Sequence, residues 1–387
     1  MSRKLKMDEA LIVGAGQARY SKVADRTIPQ LLYEAGNAAL ENAGLEWGLV
    51  DGLALTSFLL PPDNGATISE QFGLETRFLF QGLYGGASGV IGLNHAARAI
   101  ADGACDVVLV IAADAFDVAS HNNTLDHFNG SVRDFMSPQG FGGANGMFAL
   151  HTRLYMERYG AKVEDFGLFC MSLRANASLN PNALLRQEMT LDDYLHAKKI
   201  ADPLRLYDCV MPCIGADAVV LVSQRVAKQT RGAPVRILAA QEIHNAHKND
   251  IYSNPGGWDM FRDSLYGRAE VKPENLDFAQ VYDDYPVMAF HQLEGLGISD
   301  VGKTADFIKN KGITTRGEFP VNTGGGQLSA GQPGASGGMI GLFEAVCQLR
   351  GEAGNRQIEC KTGVVAGYGM VAYGRGLCSS ATILQRG

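Results

Sequence analysis

Gly86-Ala87-Ser88-Gly89-Val90-Ile91-Gly92-Leu93 opens a run of small and apolar residues that continues to Ala99. A second Gly-Ala-Ser-Gly, residues 334–337, leads into Gly338-Met339-Ile340-Gly341-Leu342-Phe343 and continues to Val346. Both stretches carry apolar residues at helical spacing. A repeated tetrapeptide ahead of two like helices divides the chain into related halves, each burying a small-residue helix near a shared axis. Neither copy contains a cysteine.

Other segments fall into place around these two. Residues 11–16, Leu-Ile-Val-Gly-Ala-Gly, read as a first strand and turn, and 101–106 as a helix end before the buried strand 107–111. Residues 215–221 predict the last strand of the first half. Residues 235–239 and 363–366 predict strands bracketing the second half, and 380–384 a final strand. Strands alternating with helical stretches predict a layered α/β architecture. The halves are placed at 1–232 and 233–387, with a loop domain within about 115–232 that contains a helix over 148–159.

Bulk properties narrow the function. With 387 residues, of which 46% are apolar, the chain is globular with ample core. A net charge of −7 without a basic stripe argues against nucleic acid as a main partner. No apolar run approaches the ~18 residues of a membrane span, and residues 1–8 lack the apolar core of a signal peptide. The expectation is a cytoplasmic protein whose seven cysteines are reduced. Cys209 and Cys213 have no matching second pair, so no metal site is expected. The 47 glycines cluster in loops such as 140–146 and 324–338, which allow close backbone approach to a ligand.

The stretch 322–337, Asn-Thr-Gly-Gly-Gly-Gln-Leu-Ser-Ala-Gly-Gln-Pro-Gly-Ala-Ser-Gly, resembles the Asn-x-x-Gly-Gly…Gly-His-Pro-x-Gly-Ala-Thr-Gly segment of thiolases, especially the sterol-carrier-protein type. The likeness covers nearly the whole chain, with the strands named above in the family's order. It implies a duplicated fold of five αβαβα layers with an inserted loop domain. The departures lie where the chemistry sits. Gly86 stands at the position of the nucleophilic cysteine, and Gln332 replaces the histidine of Gly-His-Pro. The family's His-Asp-Cys-Phe is Tyr282-Asp283-Asp284-Tyr285, and tyrosines 368 and 373 surround the C-terminal turn that normally carries Cys or His. The pattern is similar to the cysteine-less aldolases of the superfamily that remove steroid side chains.

Without a thiol, acyl transfer loses its acceptor. Cleavage of a β-hydroxyacyl-CoA does not need one. A base takes the β-hydroxyl proton, the Cα–Cβ bond breaks, a ketone or aldehyde leaves, and the thioester enolate is reprotonated. Positioned acid/base groups contribute ~10²–10⁴-fold to such a step. Alternatives are a thiolase or acyltransferase with a displaced nucleophile, and an acyl-CoA-binding scaffold. By position in the family frame, Tyr282 and Tyr373 are the candidate acid/base couple, with Asp283 as orienting acceptor or separate base and Tyr285 and Tyr368 in reserve. Gln332, Gly325, Ser329, Gly331 and Gly86 are candidates for holding the thioester and its CoA. Arg174, Arg186, Lys198 and Lys199 are possible phosphate contacts. The resemblance further implies no cofactor beyond the CoA of the substrate, a homodimer, and a small zinc-ribbon/OB-fold partner protein in a heterotetramer.

Overall fold

The computed structural model describes residues 9–141, 143–250, 256–373 and 375–387. Its strands are β1 (Ala10–Gln17), β2 (Gly52–Thr56), β3 (Phe78–Gln81), β4 (Val107–Ala115), β5 (Lys199–Ala201), β6 (Leu204–Arg205), β7 (Ile214–Ser223), β8 (Val235–His244), β9 (Phe278–Gln280), β10 (Thr362–Ala372) and β11 (Arg375–Arg386). Nine of them are hydrogen-bonded in the order β3-β2-β4-β7-β1-β8-β11-β10-β9, and β5 pairs only with β6. Reading outward from the centre, β1-β7-β4-β2 on one side matches β8-β11-β10-β9 on the other. Pairing senses match too: β2/β4 and β9/β10 are parallel, while β4/β7 and β10/β11 are antiparallel. The halves meet where Leu11 and Ile12 of β1 face Arg236 and Val235 of β8. The duplication expected from the repeated tetrapeptide is therefore a duplication of topology.

Strand chemistry explains the layers. In β4, Val108 and Val110 face the central helices, whereas Leu109 and Ile111 face the outer helix Ile28–Ala43. A strand buried on both faces reads as a continuous apolar run, as Val-Val-Leu-Val-Ile does here. The central helices are Ser88–Ala101 and Ile340–Arg350, and each touches strands of both half-sheets. Helix Trp258–Ala269 covers the outer face of β8 and β11. Between β4 and β7 an insertion carries helices Val118–Asp126, Gly143–Tyr159 and Val163–Ser178.

Both Gly-Ala-Ser-Gly copies form tight turns at the starts of the central helices, and they press on each other. A Cβ on Gly89 would lie 2.3 Å from the carbonyl oxygen of Gly338, and one on Gly338 would lie 2.8 Å from that of Gly86. Backbone meets backbone there, which explains why both copies are built of residues with minimal side chains. Each copy is also bonded to the opposite half-sheet. Asp114 of β4 accepts from the Ala335 amide at 2.7 Å, and Asp217 of β7 from the Ser336 hydroxyl at 2.6 Å. Ser380 of β11 donates to the Ala87 carbonyl at 3.3 Å.

Candidate active site

A cleft of about 750 Å³, counting the space open to solvent, lies beyond the carboxyl ends of β2, β4 and β9, where open α/β sheets place their ligands. Its two walls differ in chemistry. Phe58, Phe116, Phe128, Met147 and Phe148, from the first half and its insertion, make an apolar wall. Tyr282, Asp284, Tyr285, Gln332 and Tyr368, all from the second half, make a polar one. Gly85 and Gly86 form the floor with the backbone of residues 369–371.

Gly86 and Tyr282 share one volume. A Cβ on Gly86 would sit 1.9 Å from Cε2 of the Tyr282 ring. The ring thus occupies the space that a side chain at position 86 would fill. Gln332 donates from Nε2 to the Tyr282 hydroxyl at 3.2 Å and to Gln327 Oε1 at 2.6 Å. Burial, followed by the charge of Asp284, holds the Tyr282 phenol well above its ordinary pKa. It is therefore a neutral O–H donor at physiological pH. Tyr285 stacks on Phe148 with ring centroids 4.2 Å apart and donates its hydroxyl to Asn145 Oδ1 at 2.7 Å. Tyr368 packs against Trp258 and Phe148, and burial raises both its phenol and that of Tyr285.

The sequence expectations divide sharply here. Tyr282, Tyr285, Tyr368, Gln332 and Gly86 all line the cleft. Tyr373 does not: it sits past the end of β10 with φ +52°, 39% exposed, beside Phe135, Phe141 and Leu150 in a separate groove. Tyr368 is the tyrosine of that region that reaches the cleft. Asp283 also turns away. Its carboxylate accepts from the Gln327 and Leu328 amides at 2.9 and 3.3 Å, fastening the short helix Gly326–Ala330. Burial pushes it up to about 7.

Gly325, Ser329 and Gly331 shape the loop behind the polar wall rather than the cleft surface. Gly325 at φ +98° lies against Ala177, and Gly331 at φ +125° lies against Cys213. Ser329 accepts from Arg174 Nε at 3.2 Å. That arginine is buried over the Tyr207 ring, which takes it out of reach of a phosphate.

Two ionisable cleft residues were not among the expected set. Asp284 extends into the cleft while its neighbour Asp283 is buried, and the alternation was readable: in extended chain Tyr282 and Asp284 share a side. His121, from helix Val118–Asp126, lies on the apolar side, where burial lowers its pKa to about 4 and keeps it neutral. No sequence motif marks it.

Known proteins resemble this chain in sequence and fold. The thiolase C-terminal domain-like family matches residues 262–385. A 17-hydroxy-3-oxo-4-pregnene-20-carboxyl-CoA lyase of Mycobacterium tuberculosis is 31% identical over 366 residues, covering 90% of this chain and 93% of the relative. The chain is an aldolase of the thiolase superfamily. A steroid side-chain-cleaving aldolase of Thermomonospora curvata is 30% identical over 90% of this chain and 92% of its own length. A solved structure described as the Ltp2–ChsH2(DUF35) aldolase superposes with TM-score 0.85 at 29% identity, covering 98% of both chains. As the sequence implied, this aldolase keeps the thiolase fold.

Proposed function

We propose that this aldolase cleaves the Cα–Cβ bond of a β-hydroxyacyl-CoA, releasing a ketone or aldehyde and a short acyl-CoA, with a steroid side-chain CoA ester as its substrate class. The observation that carries the reading is the shared volume of Gly86 and Tyr282: where a thiolase-type nucleophile would stand there is a neutral phenol. A retro-aldol step needs a base at the β-hydroxyl and a proton donor at Cα, and the polar wall supplies a carboxylate and phenols. The apolar wall suits a bulky hydrocarbon leaving group. In the ester named for the Mycobacterium relative, the 17-hydroxyl carbon is β to the thioester carbonyl, which is the arrangement this step requires.

Tyr282 is assigned as the acid. Gln332 donates to its oxygen, an arrangement that stabilises a developing phenolate while leaving the phenolic hydrogen free for the cleft. Tyr368, whose hydroxyl donates to no partner among the described residues, completes the donor set around the thioester enolate. Of the seven cysteines, none lines the cleft and six are buried, which speaks against a displaced nucleophile. The reading requires no cofactor beyond the CoA of the substrate. It includes a homodimer, cytoplasmic residence, and a small partner of the DUF35 kind, with zinc ribbon and OB-fold, in a heterotetramer.

The test is a panel of β-hydroxyacyl-CoA esters, including 17-hydroxy-3-oxo-4-pregnene-20-carboxyl-CoA, incubated with the chain alone and with a DUF35 partner. Equimolar carbonyl product and shortened acyl-CoA are expected from the steroid ester. Absence of carbonyl release from every ester under both conditions would overturn the reading.

A further inference from the structure

The polar wall contains one carboxylate, that of Asp284, and among the described residues one of its oxygens is unengaged. Asp284 follows the loop after β9 and precedes helix Pro286–Gly295. Its Oδ1 accepts from the Tyr285 amide at 3.0 Å, the first amide of that turn. Oδ2 takes no hydrogen bond from the described residues, and the side chain lines the cleft. Asp283 next to it has both oxygens committed to the Gln327 and Leu328 amides. No lysine or arginine forms an ion pair with Asp284 among the described residues. One oxygen is anchored and the other is left without a donor on a side chain that lines the cleft, which is how a proton acceptor must be presented.

From this geometry we propose that Asp284 is the general base of the reaction, taking the β-hydroxyl proton of the substrate through Oδ2. The assignment rests on the aldolase reading given above and adds the residue that initiates it. Electrons balance without a co-reactant. Oδ2 takes the hydroxyl proton, the O–H pair becomes the new C=O bond, and the Cα–Cβ pair moves into the thioester enolate. A phenol, Tyr282 in the assignment above, protonates Cα. The proton held by Asp284 then returns to the phenolate, restoring both groups.

The surroundings favour this division of labour. Around Asp284 stand Asp283, Tyr282 and Tyr285 of its own loop, Tyr368 of β10 and His121 of the insertion, with Cys209 beside Tyr285 and Arg375 acting on Tyr368. Burial and then the charge of Asp283 raise the Asp284 carboxyl above the ordinary carboxylate range. That makes it a stronger base than a solvated aspartate. The three phenols are raised as well, so they act as donors, not as bases. His121, at about 4, is neutral and acquires no charge that would compete.

The experiment uses the chain with its DUF35 partner and 17-hydroxy-3-oxo-4-pregnene-20-carboxyl-CoA, comparing wild type with Asp284→Asn and Asp284→Glu. The Asn variant keeps an Oδ1 acceptor for the Tyr285 amide, so its fold is expected to survive and its thermal midpoint to match wild type. Expected is a fall in kcat of about 10²–10⁴-fold with KM within a few-fold, and partial recovery in the Glu variant. The base must be ionised, so wild-type kcat/KM falls as pH drops through a pKa above the usual value of about 4 for an aspartate. That acid limb disappears in Asp284→Asn. A folded Asn variant with near wild-type kcat, or one keeping the limb, overturns the assignment while the aldolase reading stands. A wild-type chain that releases no carbonyl overturns both. If Asp284→Asn fails to fold, the Glu variant decides: an unmoved acid limb and full kcat in it count against a proton-transfer role.

Discussion

Replacing Tyr282 by Phe is expected to lower kcat for carbonyl release by about 100-fold or more, with little change in KM or thermal midpoint. The ring would still fill the space over Gly86, so packing is preserved. Gln332 would keep its bond to Gln327 at 2.6 Å and lose only its weaker contact to the phenol at 3.2 Å. What disappears is the proton for Cα and the hydrogen bond that stabilises the phenolate left behind. Steady-state kinetics on the steroid ester, with unfolding followed in parallel, checks this. A loss confined to KM would make Tyr282 a binding residue, and an unchanged kcat would move the acid to Tyr368.

Gly86→Ala tests the shared volume itself. The backbone at Gly86 needs no left-handed conformation, and the three atoms nearest the added methyl group all belong to the Tyr282 ring, the first 1.9 Å away. Overpacking of this kind costs about 1–3 kcal/mol, and relief requires the ring to leave the cleft floor. Gly86→Ala is therefore expected to lose activity about as severely as Tyr282→Phe, and to lose stability as well. In a Tyr282→Ala background the same methyl group should be nearly neutral. The cycle should show a coupling of ~1–3 kcal/mol, measured by denaturant unfolding. Additive costs would mean that the two residues do not compete for space.

These residues also show what the sequence made legible. β4 and β7 announced themselves because strands buried on both faces are continuous apolar runs. The short strands β2, β3 and β9 carry too few residues to show a pattern. Gly86 and Gln332 stood out as departures within a motif, and both line the cleft. Tyr373 was placed by position in the family frame, which does not fix how far β10 runs. The strand continues to Ala372, and at about 3.3 Å per residue that carries Tyr373 roughly 16 Å beyond Tyr368. Asp283 was preferred over Asp284 through adjacency to Tyr282, although extended chain sends neighbours to opposite sides. His121 could be found only in three dimensions, since its place depends on how the insertion folds over the cleft.

The central claim is carbon–carbon cleavage without a thiol. Its most direct test is to alkylate the chain to completion with iodoacetamide under native conditions, verify by intact mass which cysteines react, and measure carbonyl release from the steroid ester. The account predicts an essentially unchanged rate, because no cysteine lines the cleft and the acid and base are phenol and carboxylate. Loss of carbonyl release in step with modification of a cysteine, or an acyl adduct on a cysteine during turnover of the untreated chain, would contradict it.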